Sequence, residues 1–145
     1  MDKALLVGII LPSIDEVDVN NHLDELEMLA ETANVKTLGV ITQKLHRINP
    51  AFYIGKGKAQ QVIEQAKLLN ANVVIFDDEL SPAQIKNYHK LAKKIKVIDR
   101  SALILDIFNE IRHGKALWKL FLFLAIVLFL LETWIGRPTA NNMRK

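Results

Sequence analysis

The stretch that decides the fold class is VVIF at residues 73–76, followed directly by DDELSP at residues 77–82. Four consecutive apolar residues that lead into acids are typical of a strand that is buried on both faces in an α/β protein. A helix start is predicted next, because Gln84 lies three residues after Ser81 and completes a capping box. Ligands of such sheets bind beyond the carboxyl ends of the strands, so we expect function near the acids that follow this strand.

Apolar residues recur at alternating strand and helix spacings along most of the chain. The pattern predicts strands at residues 4–11, 35–42, 73–76 and 96–98, and helices at about 16–33, 59–69, 82–95 and from 101 onward. Strands that alternate with helices form a parallel sheet with right-handed crossovers. The expected fold is therefore α/β, with a small parallel four-stranded sheet and helices on both faces.

Charge is divided unevenly along the chain, although the net charge is only +3. Residues 1–35 contain one lysine and eight acids, whereas residues 36–100 contain twelve lysines or arginines and five acids. This division predicts one basic face that can approach phosphate and an acidic helix that faces elsewhere. An unevenly charged, solvated surface is the alternative, and charge alone leaves both open.

Several classes of chemistry are excluded by composition. The 145 residues include no cysteine, so a disulfide framework, a thiolate metal site and a cysteine nucleophile are all ruled out. The four histidines show no metal-ligand spacing, and no serine is placed with a histidine and an acid in a way that suggests a triad. We predict no catalytic residue, no metal and no cofactor.

The candidate binding segment is the irregular stretch at residues 43–58, which is longer than most connections in compact domains. Its glycines and lysines lie at a helix start, where free backbone N–H groups and the helix dipole favour an anion. An exposed tyrosine there would stack on an unpaired RNA base. The predicted RNA- or phosphate-binding residues are Lys44, Arg47, Tyr53, Gly55, Lys56, Gly57 and Lys58. A glycine-rich turn with solvated lysines is the alternative.

Acids at the end of the middle strand form a second candidate site. Asp77, Asp78 and Glu79 would hold Mg²⁺ near a nucleotide phosphate if their carboxylates converged. Consecutive strand residues point to opposite faces, which argues against convergence. The alternative is that these acids cap a helix or pair with Arg100 or Lys58, and Asp99 beside Arg100 suggests a similar ion pair.

Three motifs together carry a family resemblance: YIGKGK at residues 53–58, DDELSP at 77–82, and VIDRS at 97–101 with LILDIF at 103–108. In this order and spacing they resemble the N-terminal domain of the HflX family of ribosome-associated GTPases, over about residues 4–112. The resemblance implies an α/β domain that binds the large ribosomal subunit beside its rRNA. In that family a helical hairpin and a GTPase domain accompany it.

The chain departs from that family after residue 112. It contains no G-x-x-x-x-G-K-[ST] sequence, so the loop that would bind GTP phosphates is absent and GTP hydrolysis is not expected of it. We therefore predict a non-catalytic domain that binds ribosomal RNA, with a separate GTPase as a further candidate partner. The alternatives are a small ATP-binding domain and a truncated or fused remnant without retained activity.

The end of the sequence is strongly apolar. Residues 120–131 are uninterrupted apolar residues, and residues 116–135 are long enough for about 30 Å of helix, the thickness of a bilayer core. We predict one C-terminal transmembrane helix, with Trp118, Lys119 and Trp134 at the membrane interfaces. The expected domains are residues 1–112 and 113–145, the first cytoplasmic and the second a single-pass inner-membrane anchor. A fusion of unrelated segments is the other explanation.

Overall fold

The computed structural model describes the backbone of residues 1–135 and the side chains of residues 1–109 and 119–135. In this part of the chain, four strands alternate with four helices. The elements are β1 (Asp2–Ile10), α1 (Glu16–Thr32), β2 (Val35–Lys44), α2 (Lys56–Leu68), β3 (Val73–Phe76), α3 (Pro82–Leu91), β4 (Lys96–Asp99) and α4 (Arg100–Ile135). The predicted order of strands and helices is confirmed.

The four strands form one parallel sheet in the order β2-β1-β3-β4. The chain thus winds outward from β1 in one direction to β2, and in the other direction to β3 and β4. At the centre, Leu6 of β1 lies opposite Val40 of β2 on one side and Ile75 of β3 on the other. The register between β1 and β2 shifts once, after Ala4.

Helices cover both faces of the sheet, as predicted. On one face, α1 and the first turn of α4 pack against the strands through Leu23, Leu26 and Leu103. On the other face, α2 and α3 pack against them through residues such as Val62, Ile63 and Tyr88. Because both faces are covered, all four residues of β3 are buried, which explains their uninterrupted apolar sequence.

The start of α3 follows the predicted capping box. The backbone N–H of Gln84 donates to the Ser81 hydroxyl at 3.2 Å, and the N–H of Ser81 donates to the Gln84 side chain at 2.8 Å. By contrast, α4 begins at Arg100, one residue earlier than predicted. The reason is that Asp99 accepts the backbone N–H of Ala102 at 2.9 Å and so caps the helix.

The chain divides into two compact units, Met1–Ile107 and Phe108–Lys145. The predicted domain boundary at residues 112–113 lies outside the described side chains, as does the predicted interface residue Trp118. In the second unit, the side chains of residues 119–135 are all exposed, including those of Lys119 and Trp134.

Within the described residues, no helix combines the length and the apolar character that crossing a membrane requires. The transmembrane helix predicted from Ala116 onward is therefore not found in that part of the chain.

Candidate functional site

A short turn before α2 gives the candidate binding segment its shape. Asn49 and Tyr53 exchange two backbone hydrogen bonds of 2.9 Å, which closes the turn. The Asn49 side chain also accepts the backbone N–H groups of Ala51 and Phe52, at 2.8 and 3.1 Å. Asparagine is well suited to this position because its short side chain can bond the backbone that follows it.

Side chains of α3 hold this turn in place. Gln84 donates to the Asn49 carbonyl at 3.0 Å, and Asn87 donates to the Ala51 carbonyl at 2.9 Å. The hydroxyl of Tyr88 donates to the Phe52 carbonyl at 2.7 Å, and the rings of these two residues meet edge to face at 5.4 Å. The start of α2, which directly follows the turn, therefore has a defined position relative to α3.

Tyr53 does not have the role predicted for it. Its ring is only 6% exposed and packs edge to face on Phe76 at 6.1 Å, so it is not available to stack on an RNA base. Its backbone adopts a φ of 68°, which is rare for a bulky residue and turns the side chain into the core. Burial, followed by the nearby Asp78 carboxylate, raises the pKa of the Tyr53 hydroxyl far above its usual value, so it stays protonated.

The N-terminus of α2 has unoccupied backbone donors. Gly55 is the N-cap residue and provides no side chain to accept them, while Ala59 makes the first helical bond back to the Gly55 carbonyl at 2.8 Å. The N–H groups of residues 56–58 thus lie at the positive end of the helix dipole. This turn has the polarity of an anion site.

The two glycines of this turn leave open space around it. Neither Gly55 nor Gly57 has a positive φ, and a Cβ added at either position would meet no atom within 4 Å. Backbone conformation and internal packing therefore do not require glycine here, whereas close approach of a ligand to the backbone would benefit from it. Within the described side chains, Lys56 and Lys58 form no ion pair, which leaves both ammonium groups available.

The remaining basic residues of the predicted site are less closely associated with this turn. Lys44 lies at the end of β2 and forms an exposed 2.7 Å ion pair with Glu16 at the start of α1. Arg47 is exposed in the connection between β2 and α2. The structure therefore brings Gly55, Lys56, Gly57 and Lys58 together on one helical turn, and places Lys44 against an acid of another helix.

Asp77 and Asp78, which follow β3, contact different residues, so the prediction that they do not converge is confirmed. Asp77 is buried and bonds to the Arg100 guanidinium at 2.9 Å, and the second terminal nitrogen of Arg100 bonds to Glu25 at 2.9 Å. Burial raises the pKa of Asp77, and the charge of Arg100 opposes that rise. Asp78 and Glu79 are exposed. The ion-pair interpretation is thus confirmed for Asp77.

The candidate Mg²⁺ site at these acids, which the sequence already disfavoured, is not supported. Among the described residues, no group of three or more histidine, aspartate or glutamate side chains is arranged to hold a metal ion. The physical reason is that Asp77 is paired with Arg100, whereas Asp78 lies beside Tyr53.

Asp99 has a role that the sequence interpretation assigned wrongly. It was expected to pair with Arg100, but its carboxylate accepts the backbone N–H of Leu80 at 3.0 Å and of Ala102 at 2.9 Å. It therefore ties the turn after β3 to the start of α4. An aspartate directly before a helical pattern is an N-cap signal, so the sequence could have predicted the bond to Ala102 but not the bond to Leu80.

Charge is separated between the two faces of the domain. α1 carries six acids and no lysine or arginine, and it covers one face of the sheet. α2 and α3 carry five lysines and one acid, and they cover the other face. The prediction of a basic face opposite an acidic helix is confirmed, and the open turn at the start of α2 belongs to the basic face.

These features define the class of the protein as a small parallel α/β domain with a basic, glycine-containing helix start on one face. The family model described as GTP-binding GTPase N-terminal matches residues 20–109, and the chain belongs to that family. The matched region of this chain corresponds to the N-terminal part of HflX-type GTPases, in agreement with the resemblance of the three sequence motifs.

Among similar proteins, the GTPase HflX of Lacrimispora saccharolytica is 44% identical over 117 residues, which cover 79% of this chain and 27% of that protein. The GTPase HflX of Escherichia coli K12 is 40% identical over 109 residues, which cover 75% of this chain and 25% of that protein. The chain thus spans about a quarter of the length of these curated relatives.

Solved structures show the same fold. A GTP-binding protein from the hyperthermophilic archaeon Sulfolobus solfataricus, in complex with GDP, matches with a TM-score of 0.57 and 26% identity. The match covers 74% of this chain and 30% of that one.

Proposed function

We propose that this domain is a non-catalytic RNA-binding module of an HflX-type GTPase, and that it binds phosphates of large-subunit ribosomal RNA at the start of α2. The observation that supports the proposal is the open turn formed by residues 55–58 at the start of α2. It combines unoccupied backbone N–H groups, glycines that neither conformation nor packing requires, and two lysines that form no ion pair with the described side chains.

Electrostatics support a defined orientation on RNA. The basic face formed by α2 and α3 would be attracted to phosphates, while the six acids of α1 on the opposite face would be repelled. Phosphate contacts position a protein on nucleic acid without reading its sequence, which suits a domain with few base-reading groups at this turn. The GTPase activity named for the relatives would then be supplied by a GTPase domain that works with this one.

The alternative of an ATP-binding domain has less support. A nucleotide site at the strand ends would use the acids after β3 to hold Mg²⁺, but Asp77 is already held by Arg100. Calorimetry with Mg²⁺ and ATP separates the two functions, since we expect no heat of binding from this chain.

The salt dependence of RNA binding tests the proposal directly. The assay is fluorescence anisotropy of a single-stranded fragment of large-subunit rRNA, with the full chain in a mild nonionic detergent. For single strands, each phosphate contact contributes about 0.7 to the slope of log affinity against log salt, so Lys56→Ala/Lys58→Ala should reduce the slope by about 1.4. Between about 50 and 200 mM salt, the variant should lose about sevenfold less affinity than the wild type.

A matched control is available at the opposite end of the sheet. Lys3 and Lys36 are exposed and lie side by side at the amino-terminal ends of β1 and β2. The variant Lys3→Ala/Lys36→Ala removes the same charge but should leave the slope unchanged. If both double variants changed the slope equally, binding would depend only on net charge and the turn at α2 would have no special role.

We also propose that the apolar segment at residues 120–131 tethers the domain to a membrane, with the domain on the cytoplasmic side. What supports this is the uninterrupted apolar sequence and the 37–69% exposure of its large side chains. Cell fractionation should recover the chain with membranes, and Leu124→Asp/Leu128→Asp should release it. Recovery of the unchanged chain only in the soluble fraction would contradict the tether.

A further inference from the structure

A cleft lies beside α2, between this helix and the outer strand β2. It has a volume of about 470 Å³, within the range of about 300–1,000 Å³ that is typical of small-ligand sites. It is lined by residues 39–41 of β2 and by Lys58, Gln61, Gln65 and Leu69 along α2. The walls therefore combine amide groups, one ammonium group and apolar surface.

The two glutamines give the cleft hydrogen-bonding capacity. Gln61 and Gln65 lie four residues apart and thus on the same side of α2. Both side chains are exposed, and within the described part of the chain neither amide forms a hydrogen bond. A glutamine amide both donates and accepts, which matches the mixed donors and acceptors on the edge of a nucleobase.

The outer strand adds further polar groups to the same cleft. Among the described strands, β2 pairs with β1 and forms the edge of the sheet. The backbone of an edge strand has N–H and C=O groups directed away from the sheet, and these can bond a planar polar ligand. Gly39 keeps this wall open, since a Cβ there would lie 3.3 Å from Leu5 Cδ1 and 3.7 Å from Leu69 Cδ1.

The cleft is continuous with the open turn at the start of α2. Lys58 belongs to that turn and also lines the cleft. At about 1.5 Å of rise per residue, Gln61 lies about 4.5 Å and Gln65 about 10 Å farther along the helix axis. A nucleotide whose phosphate is bound at the helix start can therefore direct its base into the cleft.

We propose that this cleft binds a single unpaired nucleobase of the RNA whose phosphate is held at the start of α2. The inference rests on the proposed function, because the phosphate site places the base. In this proposal, Gln61, Gln65 and the edge of β2 contact the base. Tyr53 cannot make this contact because it is buried. The ligand class is thus single-stranded RNA with an accessible base edge.

The test compares two probes of equal length: a twelve-residue oligoadenylate and an abasic ribose-phosphate strand. The full chain should bind the oligoadenylate about tenfold more tightly, as two ordinary hydrogen bonds would give. The variant Gln61→Leu/Gln65→Leu should lose most of this preference. Gln60→Leu is the control, since Gln60 is exposed on α2 but does not line the cleft. Circular dichroism checks that each variant is folded.

Each result separates the cleft from the phosphate site. If the wild type bound both strands equally and retained its salt slope, the proposal that the cleft binds a base would be refuted. The proposed phosphate site would not be affected. An unchanged preference for oligoadenylate in Gln61→Leu/Gln65→Leu would also refute binding of the base in the cleft. If neither strand bound, the proposed function itself would be wrong, and the cleft with it. Loss of the preference in the double variant alone supports the proposal.

Discussion

Replacing Arg100 by methionine should destabilise the fold by leaving a buried charge without its partner. Arg100 is the first residue of α4, and its guanidinium forms ion pairs with Asp77, which directly follows β3, and with Glu25 on α1, each at 2.9 Å. One side chain therefore joins three elements. In Arg100→Met most of the packing volume is retained, so the main loss is the charge that faces Asp77.

The size of the effect follows from the burial of the partners. Breaking a fully buried ion pair costs about 3–5 kcal/mol, because one charge stays buried and unpaired. The side chain of Asp77 is 8% exposed, but that of Arg100 is 24% exposed and that of Glu25 is 56% exposed. Water can therefore replace part of the lost interaction, and we expect a cost of about 2–3 kcal/mol at pH 7.5.

The pH dependence of the stability loss shows whether the unpaired charge of Asp77 causes it. Burial already raises its pKa in the folded state, and without Arg100 the pKa should rise further. Above the unfolded pKa of about 3.9, the folded variant then retains a proton that the unfolded chain has released, so its stability falls as pH rises. The deficit relative to the wild type should be largest at pH 7.5 and smallest near pH 4.

Urea denaturation, followed by circular dichroism at several pH values, measures this deficit. Arg100→Met/Asp77→Asn should regain most of the lost stability at pH 7.5, since no buried charge remains. The Nδ1 atom of His22 lies 4.0 Å from Asp77. Repeating the series with His22→Asn therefore separates the effect of Asp77 from that of the imidazole. A deficit that did not vary with pH, or that Asp77→Asn failed to reduce, would refute the explanation by a buried charge.

Three further variants test other contacts. Tyr88→Phe removes the bond to the Phe52 carbonyl and should cost about 1–2 kcal/mol in urea denaturation; no loss would mean that water replaces the hydroxyl. Gly57→Ala should stabilise α2 by up to about 1 kcal/mol, because the added methyl group meets open space, yet weaken RNA binding in the anisotropy assay. Asp99→Ala leaves two backbone N–H groups without their acceptor and should cost about 2–3 kcal/mol, whereas Asp99→Asn should cost less.

Features that depend on neighbouring residues were predictable from the sequence. The strand at residues 73–76 and the capping box at Ser81 both depend on local patterns, and both are confirmed. Strand alternation also predicted that Asp77 and Asp78 would not converge on one ion, and they contact different residues. The segregation of basic and acidic helices was also visible, because each helix carries charge of mainly one sign.

Features that depend on distant contacts were not predictable. The burial of Tyr53 requires both its unusual φ and its contact with Phe76, which lies 23 residues later in the chain. The sequence suggests only the neighbouring Arg100 as a partner for Asp99, whereas the folded arrangement places the Leu80 N–H beside it. Likewise, the cleft beside α2 exists because β2 lies at the edge of the sheet, and the order of strands is not encoded in any local pattern.

The way α3 holds the turn before α2 has a consequence for how this surface can change. The three side chains from α3 hydrogen-bond to the turn only at the main-chain carbonyls of residues 49, 51 and 52. Pro50 is the exposed residue of this turn, makes none of these bonds and can be exchanged without removing them. Proteins that share this α3 can acquire a new contact at residue 50 while the helix start stays where it is.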